Sequence, residues 1–284
     1  MKFGVLGGSG VYEIEGLKDV KHQFIHTPFG DPSDEVVTGR LGDRDIAFIP
    51  RHGKGHRLLP TEINYRANVW AMKKLGVTHL ISVSAVGSLK EEIEPGHIVI
   101  PDQFIDRTKD RPSTFFGHGI VAHPQFGRPV CNELSEAIFA ATKKLNIKAH
   151  LGGTYVCMEG PIFSTQAESF MYRDMGASII GMTNLQEAKL AREAEMCFST
   201  IALSTDYDCW HEEEVTVEAV IAVMKKNVNN SKAILAEVVK SFQPGKEVCP
   251  DQSSLAFTIM TDPKMIPVKT RQKLDLLIGK YINP

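Results

Sequence analysis

One pattern constrains the fold of this chain more than any other: short apolar runs, rich in β-branched residues or bounded by Gly and Pro, alternate with amphipathic stretches. Residues 2–6, 46–49, 79–83, 97–100, 154–157 and 197–203 are such runs and read as buried or half-buried strands. Between them, Thr61 is placed to cap a helix through about residue 75, with Ile63, Ala67, Trp70, Ala71 and Leu75 on one face and Gly76 ending it. Further helices are predicted at 132–145, 165–175, 185–194 and 269–281. The strongest helical signal spans 216–242, where Val217, Val220, Ile221, Met224, Val228, Leu235, Val238, Val239 and Phe242 recur at spacings of three, four and seven before Pro244-Gly245. Strands alternating with helices predict an α/β fold, with a central, at least partly parallel, mixed sheet flanked by helices. No repeat, low-complexity tract or linker interrupts the 284 residues, so a single domain, 1–284, is expected.

Charge narrows the function classes. The 32 basic and 34 acidic residues leave a formal net charge of −2, which gives neither nucleic acid nor an anionic membrane its usual electrostatic hold. With 43% hydrophobic residues, the chain has material for a substantial core. Five cysteines, odd in number and without a C-x-x-C pair, predict neither a disulfide framework nor a metal site. The apolar start is too short for a signal-peptide core and no run is long enough to span a bilayer, so a cytoplasmic location is expected.

The chemistry-bearing residues gather at strand exits. Gly7-Gly8-Ser9-Gly10 follows the first strand; its glycines let backbone N–H groups approach an anion, but a tight turn explains them equally well. It is not a dinucleotide fingerprint, since Glu13 stands where a third glycine is needed, and no Gly-Lys-Ser/Thr follows. Arg51-His52-Gly53 follows the strand at 46–49 and offers a planar fork of donors beside an imidazole. His52 and His56 lie four apart, but His-Gly-Lys-Gly-His is a poor helix former without a glutamate, so no zinc site is expected there. Ser82 to Ser88 places small hydroxyl residues after a third strand. Three strand ends with phosphate-competent groups favour one shared oxyanion pocket at the carboxyl edge of the sheet. Phe163 and Ser164 in Glu159-Gly160-Pro161-Ile162-Phe163-Ser164, and Met182-Thr183, stand at further exits, where Phe163 and Met182 taken singly read as core. Thr205-Asp206-Tyr207-Asp208 puts two carboxylates at the mouth of a buried strand, where an unpartnered acid is costly. That pair fits acid–base work or a polar heterocycle; a solvated turn is the competing reading.

Taken together and in order, these segments, with Asp31-Pro32-Ser33-Asp34, Ala85-Val86-Gly87-Ser88-Leu89, Asp102 to Thr108 and Thr205 to Trp210, resemble the trimeric purine nucleoside phosphorylase superfamily, and within it the 5′-methylthioadenosine phosphorylases. The resemblance runs to about residue 242. It implies phosphorolysis of a purine nucleoside by inorganic phosphate as co-substrate, without a cofactor, in a homotrimer or dimer of trimers. It also implies phosphate binding by Ser9, Arg51, His52, Ser84, Ala85 (through its backbone) and Thr183. Phe163 and Met182 would contact the ribose, and Ser164, Asp206 and Asp208 the purine. His56, Val217, Val220 and, from a neighbouring subunit, His123 would border the 5′ substituent. Residues 243–284 would form a helical extension near the active site.

On this reading Asp206 and Asp208 are the catalytic acids. Asp206 serves the base N7 as negative charge develops there, with its proton held by burial and by the charge of Asp208, and it favours 6-aminopurines over 6-oxopurines. Ile162 and Gln166 stand where close relatives carry arginine, and Ser9 and Ser84 where threonine is frequent; the serines keep the hydroxyl. The competing readings are a phosphorylase of 6-oxopurine, methylthioinosine or broad specificity, a nucleotide-dependent oxidoreductase, and a non-catalytic nucleoside-binding protein.

Overall fold

The computed structural model describes residues 1–8, 14–211, 217–245 and 249–282, without the side chains of 217–221. The strands are β1 (Phe3–Gly7), β2 (Leu17–Gln23), β3 (Val36–Leu41), β4 (Arg44–Pro50), β5 (His79–Ser88), β6 (Ile98–Ile100), β7 (Gln103–Arg107), β8 (Ala149–Leu151), β9 (Thr154–Met158), β10 (Ile179–Gly181) and β11 (Cys197–Asp206). The helices are α1 (Tyr65–Lys74), α2 (Asn132–Lys144), α3 (Gln166–Asp174), α4 (Asn184–Glu193), α5 (Val217–Ser241) and α6 (Val268–Ile282). All eleven strands join one mixed sheet, in the order β2-β3-β4-β1-β5-β10-β9-β7, with β11, β6 and β8 branching from β5.

The two faces of the sheet follow from the two-residue period of a strand. Leu6, Ile49 and Leu80 pack with Val69 of α1, Leu190 of α4 and Leu274, Leu277 and Ile278 of α6. Their chain neighbours Val5, Phe48 and Ile81 point the other way, against Leu134 and Ile138 of α2 and Ile234, Leu235 and Val238 of α5. Residues 249–282 thus complete the first layer of helices rather than hanging from the domain. β1 shows why such strands are apolar throughout: all five of its residues are buried, because both faces are covered.

Some expectations shift. Asn64, not Thr61, caps α1, its side chain accepting from Ala67 N; the turn before it belongs to a loop that buries Tyr65 with its hydroxyl on Pro60 O, 2.8 Å. Thr165 caps α3 through a reciprocal capping box with Glu168. β2, β3, β7 and β8 were not foreseen. The most consequential difference is the length of β5, which runs on to Ser88 because β11 stays paired with it from Cys197↔His79 to Asp206↔Gly87. The segment expected as a strand exit is strand.

Candidate functional site

The length mismatch between β1 and β5 opens the sheet. β1 pairs with β5 only as far as Leu6↔Ser82, and β10 joins the same edge at Ile180↔Gly87. Residues 83–86 of the central strand therefore have a strand neighbour on one side alone. Ala85 is exposed and Gly87 half-buried in this otherwise buried strand, so this edge of β5 is open to solvent. The carboxyl ends of β1, β4 and β11, and the β10–α4 turn, surround it.

Arg51 follows β4 directly and is 3% exposed. Its Nε and Nη2 donate to the two oxygens of Glu187 on α4, at 2.6 and 2.9 Å. Nη2 also reaches Ser82 Oγ at 2.7 Å and Leu6 O at 2.9 Å, and Nη1 reaches Val83 O at 2.6 Å. Burial works against the guanidinium charge, but the Glu187 carboxylate outweighs it and its pKa is raised. Arg51 thus fastens β1, β4, β5 and α4 together at this edge; of its five N–H groups, Nη1 has one beyond these bonds. Asn184 extends the network, donating to Ser82 Oγ at 2.8 Å and accepting from Thr200 Oγ1 at 3.0 Å.

His52 turns its Nδ1 to Leu58 O at 2.9 Å and stacks on His56, ring centroids 4.1 Å apart. Burial, with the charges of Arg51, His56 and Arg111, pushes its pKa down to about 4 against the pull of the Leu58 carbonyl. The ring is therefore neutral at pH 7, and the Leu58 contact assigns the proton to Nδ1, leaving Nε2 as an acceptor. Ser33 and Asp34 close over this loop: Arg57 donates to Ser33 O at 2.6 Å and Lys54 N to Asp34 Oδ2 at 2.6 Å.

Ser84 is buried and shares a 3.1 Å hydrogen bond with Tyr155 OH. Thr183, also buried, is the N-cap residue of α4 but makes no side-chain cap bond, which leaves its hydroxyl for another acceptor, while the amides of Asn184 and Leu185 are directed at Cys157 Sγ. Met182 is held from behind, where Arg111 donates through Nη1 to Met182 O and through Nη2 to Glu159 O. One buried side chain thus ties the β9 and β10 exits together.

The carboxylates enter from β11. Its register shifts between Ser204 and Asp206, a bulge that re-aims the following side chain. Asp206 Oδ2 accepts from Thr205 Oγ1 at 2.6 Å and Oδ1 from Asp208 N at 2.8 Å. Asp208 takes a left-handed conformation, φ 53°, and accepts from Ser169 of α3 at 2.5 Å. Burial first, and then the charge of Asp206, raises the pKa of Asp208 against the Ser169 and Cys209 hydrogen bonds. Gly87 makes this approach possible: a Cβ there would lie 3.1 Å from Asp206 Oδ1 and 3.2 Å from Ile180 Cγ2.

The structure places Arg51 and His52 directly after β4, Ser84 and Ala85 in the half-paired stretch of β5, Met182 and Thr183 directly after β10, and Asp206 and Asp208 at the carboxyl end of β11. Ser164 is half-buried, its hydroxyl on Met158 Sδ at 3.6 Å. Phe163 is 77% exposed and not part of the core. His56 is exposed with φ 56°, and His123 is exposed on another strip, its N–H bonded to Thr258 O at 2.9 Å. Ser9 lies outside the described residues; Val217 and Val220 do begin α5, but their side chains lie outside the description. Sequence reasoning missed Glu187, Arg111 and Tyr155. The signal available was indirect: a buried arginine requires a buried acid, and the helix after β10 carries one.

Comparison with known proteins bears on this constellation. The model of the phosphorylase superfamily matches residues 2–240. The S-methyl-5′-thioadenosine phosphorylase of Geobacter sulfurreducens is 59% identical over 282 residues, covering 98% of each chain, and that of Koribacter versatilis is 55% identical over 284, covering 99% of this chain and 97% of its own. Among solved structures, a methylthioadenosine phosphorylase from an Antarctic soil metagenomic library superposes with a TM-score of 0.94 at 44% identity, covering 97% of this chain and 98% of its own. An adenosine/methylthioadenosine phosphorylase from Schistosoma mansoni, a mutant in complex with methylthioadenosine, gives 0.79 at 38%, covering 84% and 91%. The chain belongs to the phosphorylase superfamily.

Proposed function

We propose that the chain cleaves 5′-methylthioadenosine with inorganic phosphate, releasing adenine and 5-methylthioribose 1-phosphate, a salvage reaction that needs no cofactor. The observation that carries this reading is the opening along residues 83–86 of β5. An opening there supports the reading because groups able to hold an anion (Arg51, His52, Ser84, Ala85, Thr183) and a carboxylate pair (Asp206, Asp208) are what the cleavage requires. Phosphate lies beneath the sugar, on the amide of Ala85, the spare Nη1 proton of Arg51 and the Ser84, Thr183 and Ser9 hydroxyls. Neutral His52 accepts at Nε2 a hydrogen bond from the O–H of hydrogen phosphate, whose proton stays on phosphate, and so turns an unprotonated oxygen toward C1′. As the C1′–N9 bond breaks, positive charge on the sugar is stabilised by the anion below it, and negative charge on the base by the acids. Asp206 faces N7, and Asp208 and Ser164 complete the purine contacts. The exchangeable proton belongs to the acid pair, in which burial raises Asp208 above the ordinary carboxylate range.

Phe163 and Met182 pack on the ribose, and His56, Val217 and Val220 on the 5′ group. The far side of that group belongs to a second copy, in a homotrimer or dimer of trimers. His123 sits on a strip bridged to Thr258 and Ile259, beside wholly exposed Phe257 and largely exposed Met260. That surface and the exposed Ile162–Phe163 rim are what a neighbour would cover, bringing the C-terminal segment to the site. No described helix is long and apolar enough to cross a membrane; a cytoplasmic enzyme acting on small molecules is the location and partner class of this reading. The test is base release from methylthioadenosine, adenosine, methylthioinosine and inosine, with and without phosphate. Phosphate-dependent turnover with methylthioadenosine fastest is expected; inosine fastest, or release without phosphate, refutes the reading.

A further inference from the structure

Away from the opening, three cysteines from distant segments meet. Cys131 precedes α2, Cys197 opens β11, and Cys249 precedes the short turn Pro250–Ser253. Their sulfurs all lie within 4.8 Å of one another, with Cys131 and Cys249 at 3.5 Å. All three are free thiols, two buried and one half-buried. A disulfide needs about 2.05 Å between sulfurs, so the trio is not a bond with a spectator. Tetrahedral zinc thiolates, at about 2.3 Å from the metal, stand about 3.8 Å apart, and the observed triangle, with one edge at 3.5 Å and none above 4.8 Å, reaches that edge with little movement.

We propose that Cys131, Cys197 and Cys249 form a binding site for a thiophilic closed-shell cation, with zinc the best-fitting ion. The surroundings agree with that use. Cys131 is the N-cap residue of the 13-residue α2 and makes no side-chain cap bond, so the positive end of the helix favours a thiolate there. Gln252 Nε2 donates to Cys197 Sγ at 3.5 Å, the outer hydrogen bond that orients a metal ligand. Half-buried Cys249 supplies an entry path, and water fills the fourth position. Each thiol loses its proton to solvent and gives a sulfur electron pair to the ion, so three protons leave as one cation arrives.

The site is structural. Cys197 and Asp206 are the two ends of β11, about 30 Å apart at the usual strand rise, so the ion takes no part in cleavage. Its effect is to pin the segment that begins at Cys249 to the sheet. That segment carries Leu255, Ile266 and Leu274 into the core and holds the strip bearing His123.

The experiment uses the full chain, reduced, stripped with chelator and carrying Cys209→Ser to remove the exposed thiol. Zinc is added and free ion removed. One zinc retained per chain, a thiolate charge-transfer band on cobalt(II) substitution, and a zinc-dependent rise in Tm are expected. Cys249→Ser should weaken zinc binding by more than about a hundredfold. Should that variant fail to fold, zinc protection of Cys131, Cys197 and Cys249 from alkylation in the parent protein decides the matter. No retained zinc, equal retention by Cys249→Ser, unprotected thiols, or a Cys131–Cys249 disulfide with a Tm blind to zinc would each overturn the site. Phosphorolysis measured below Tm should be the same with and without the ion, so failure here leaves the proposed reaction untouched.

Discussion

The buried ion pair at the floor of the opening can be taken apart so that its contribution to folding separates from its contribution to phosphate binding. Arg51 and Glu187 are 3% and 1% exposed, and the carboxylate accepts from Arg51 Nε, Arg51 Nη2 and Ser82 Oγ. In Glu187→Gln one of those acceptors becomes an N–H aimed at a guanidinium that stays charged. Breaking a buried pair from one side costs about 3–5 kcal/mol. For 284 residues, at about 2.1 cal/mol/K each, the unfolding entropy is about 0.6 kcal/mol/K, so Tm should fall by about 5–8 °C. Arg51→Met should fall comparably, stranding the carboxylate and also Val83 O and Leu6 O. The double variant Arg51→Met/Glu187→Met buries no charge, and such replacements are often neutral in stability. It should recover at least half of either single loss, yet remain without phosphate-dependent turnover. Calorimetry on the four proteins gives the coupling energy, and saturation with phosphate gives the functional column. Additive losses, with the double variant as unstable as both singles together, would refute the claim that the pair is one energetic unit. Recovery of turnover along with Tm would refute Arg51 as a phosphate ligand.

Three further perturbations probe the rest. Asp206→Asn should lower kcat/KM on 6-aminopurine nucleosides by about 100-fold or more, the scale of a lost acid catalyst; near-parental turnover would remove Asp206 from the purine. Gly87→Ala puts a Cβ 3.1 Å from Asp206 Oδ1 and 3.2 Å from Ile180 Cγ2, and the displacement of a few tenths of an ångström this forces should reduce kcat/KM several-fold, with a stability loss of about 1–3 kcal/mol; an unchanged kcat/KM would show that the bulge does not set the acid's position. Glu193, which accepts from Thr114 Oγ1 and Phe115 N, is pushed up to about 7 by burial from an ordinary 4.5. The folded chain therefore holds this proton more tightly than the unfolded one, and the stabilisation, complete below pH 4.5, disappears as pH rises to 7. Urea unfolding at pH 5 and pH 8 should show a loss of about 3 kcal/mol that Glu193→Gln removes; equal pH slopes in the two proteins would refute it.

How much of this was legible follows from what kind of order each feature is. Strands covered on both faces are forced into continuous apolar runs, so β1, β4 and β11 announce themselves. β2, almost wholly exposed, carries Leu-Lys-Asp-Val-Lys-His-Gln and has no reason to look like a core strand. Groups set at strand exits were readable one by one, because a hydroxyl or a carboxylate after an apolar run is local. Their partners were not. Glu187 lies 136 residues from Arg51 on a helix whose charges read as a solvated face, and nothing near Cys131 marks Cys197 or Cys249 as its neighbours. The opening itself is a difference between two lengths. β5 outlasts β1 because β11 keeps pairing with it, while Ser84, Ala85 and Gly87 are small, polar or flexible enough to be mistaken for a loop. Those properties are what an open strand edge needs if a ligand is to lie against the backbone: a bulky apolar run at 84–87 would have been recognised as strand and would have filled the hollow. The error in reading and the capacity to bind thus have one physical cause, so lengthening side chains along that edge should abolish binding before it unfolds the sheet.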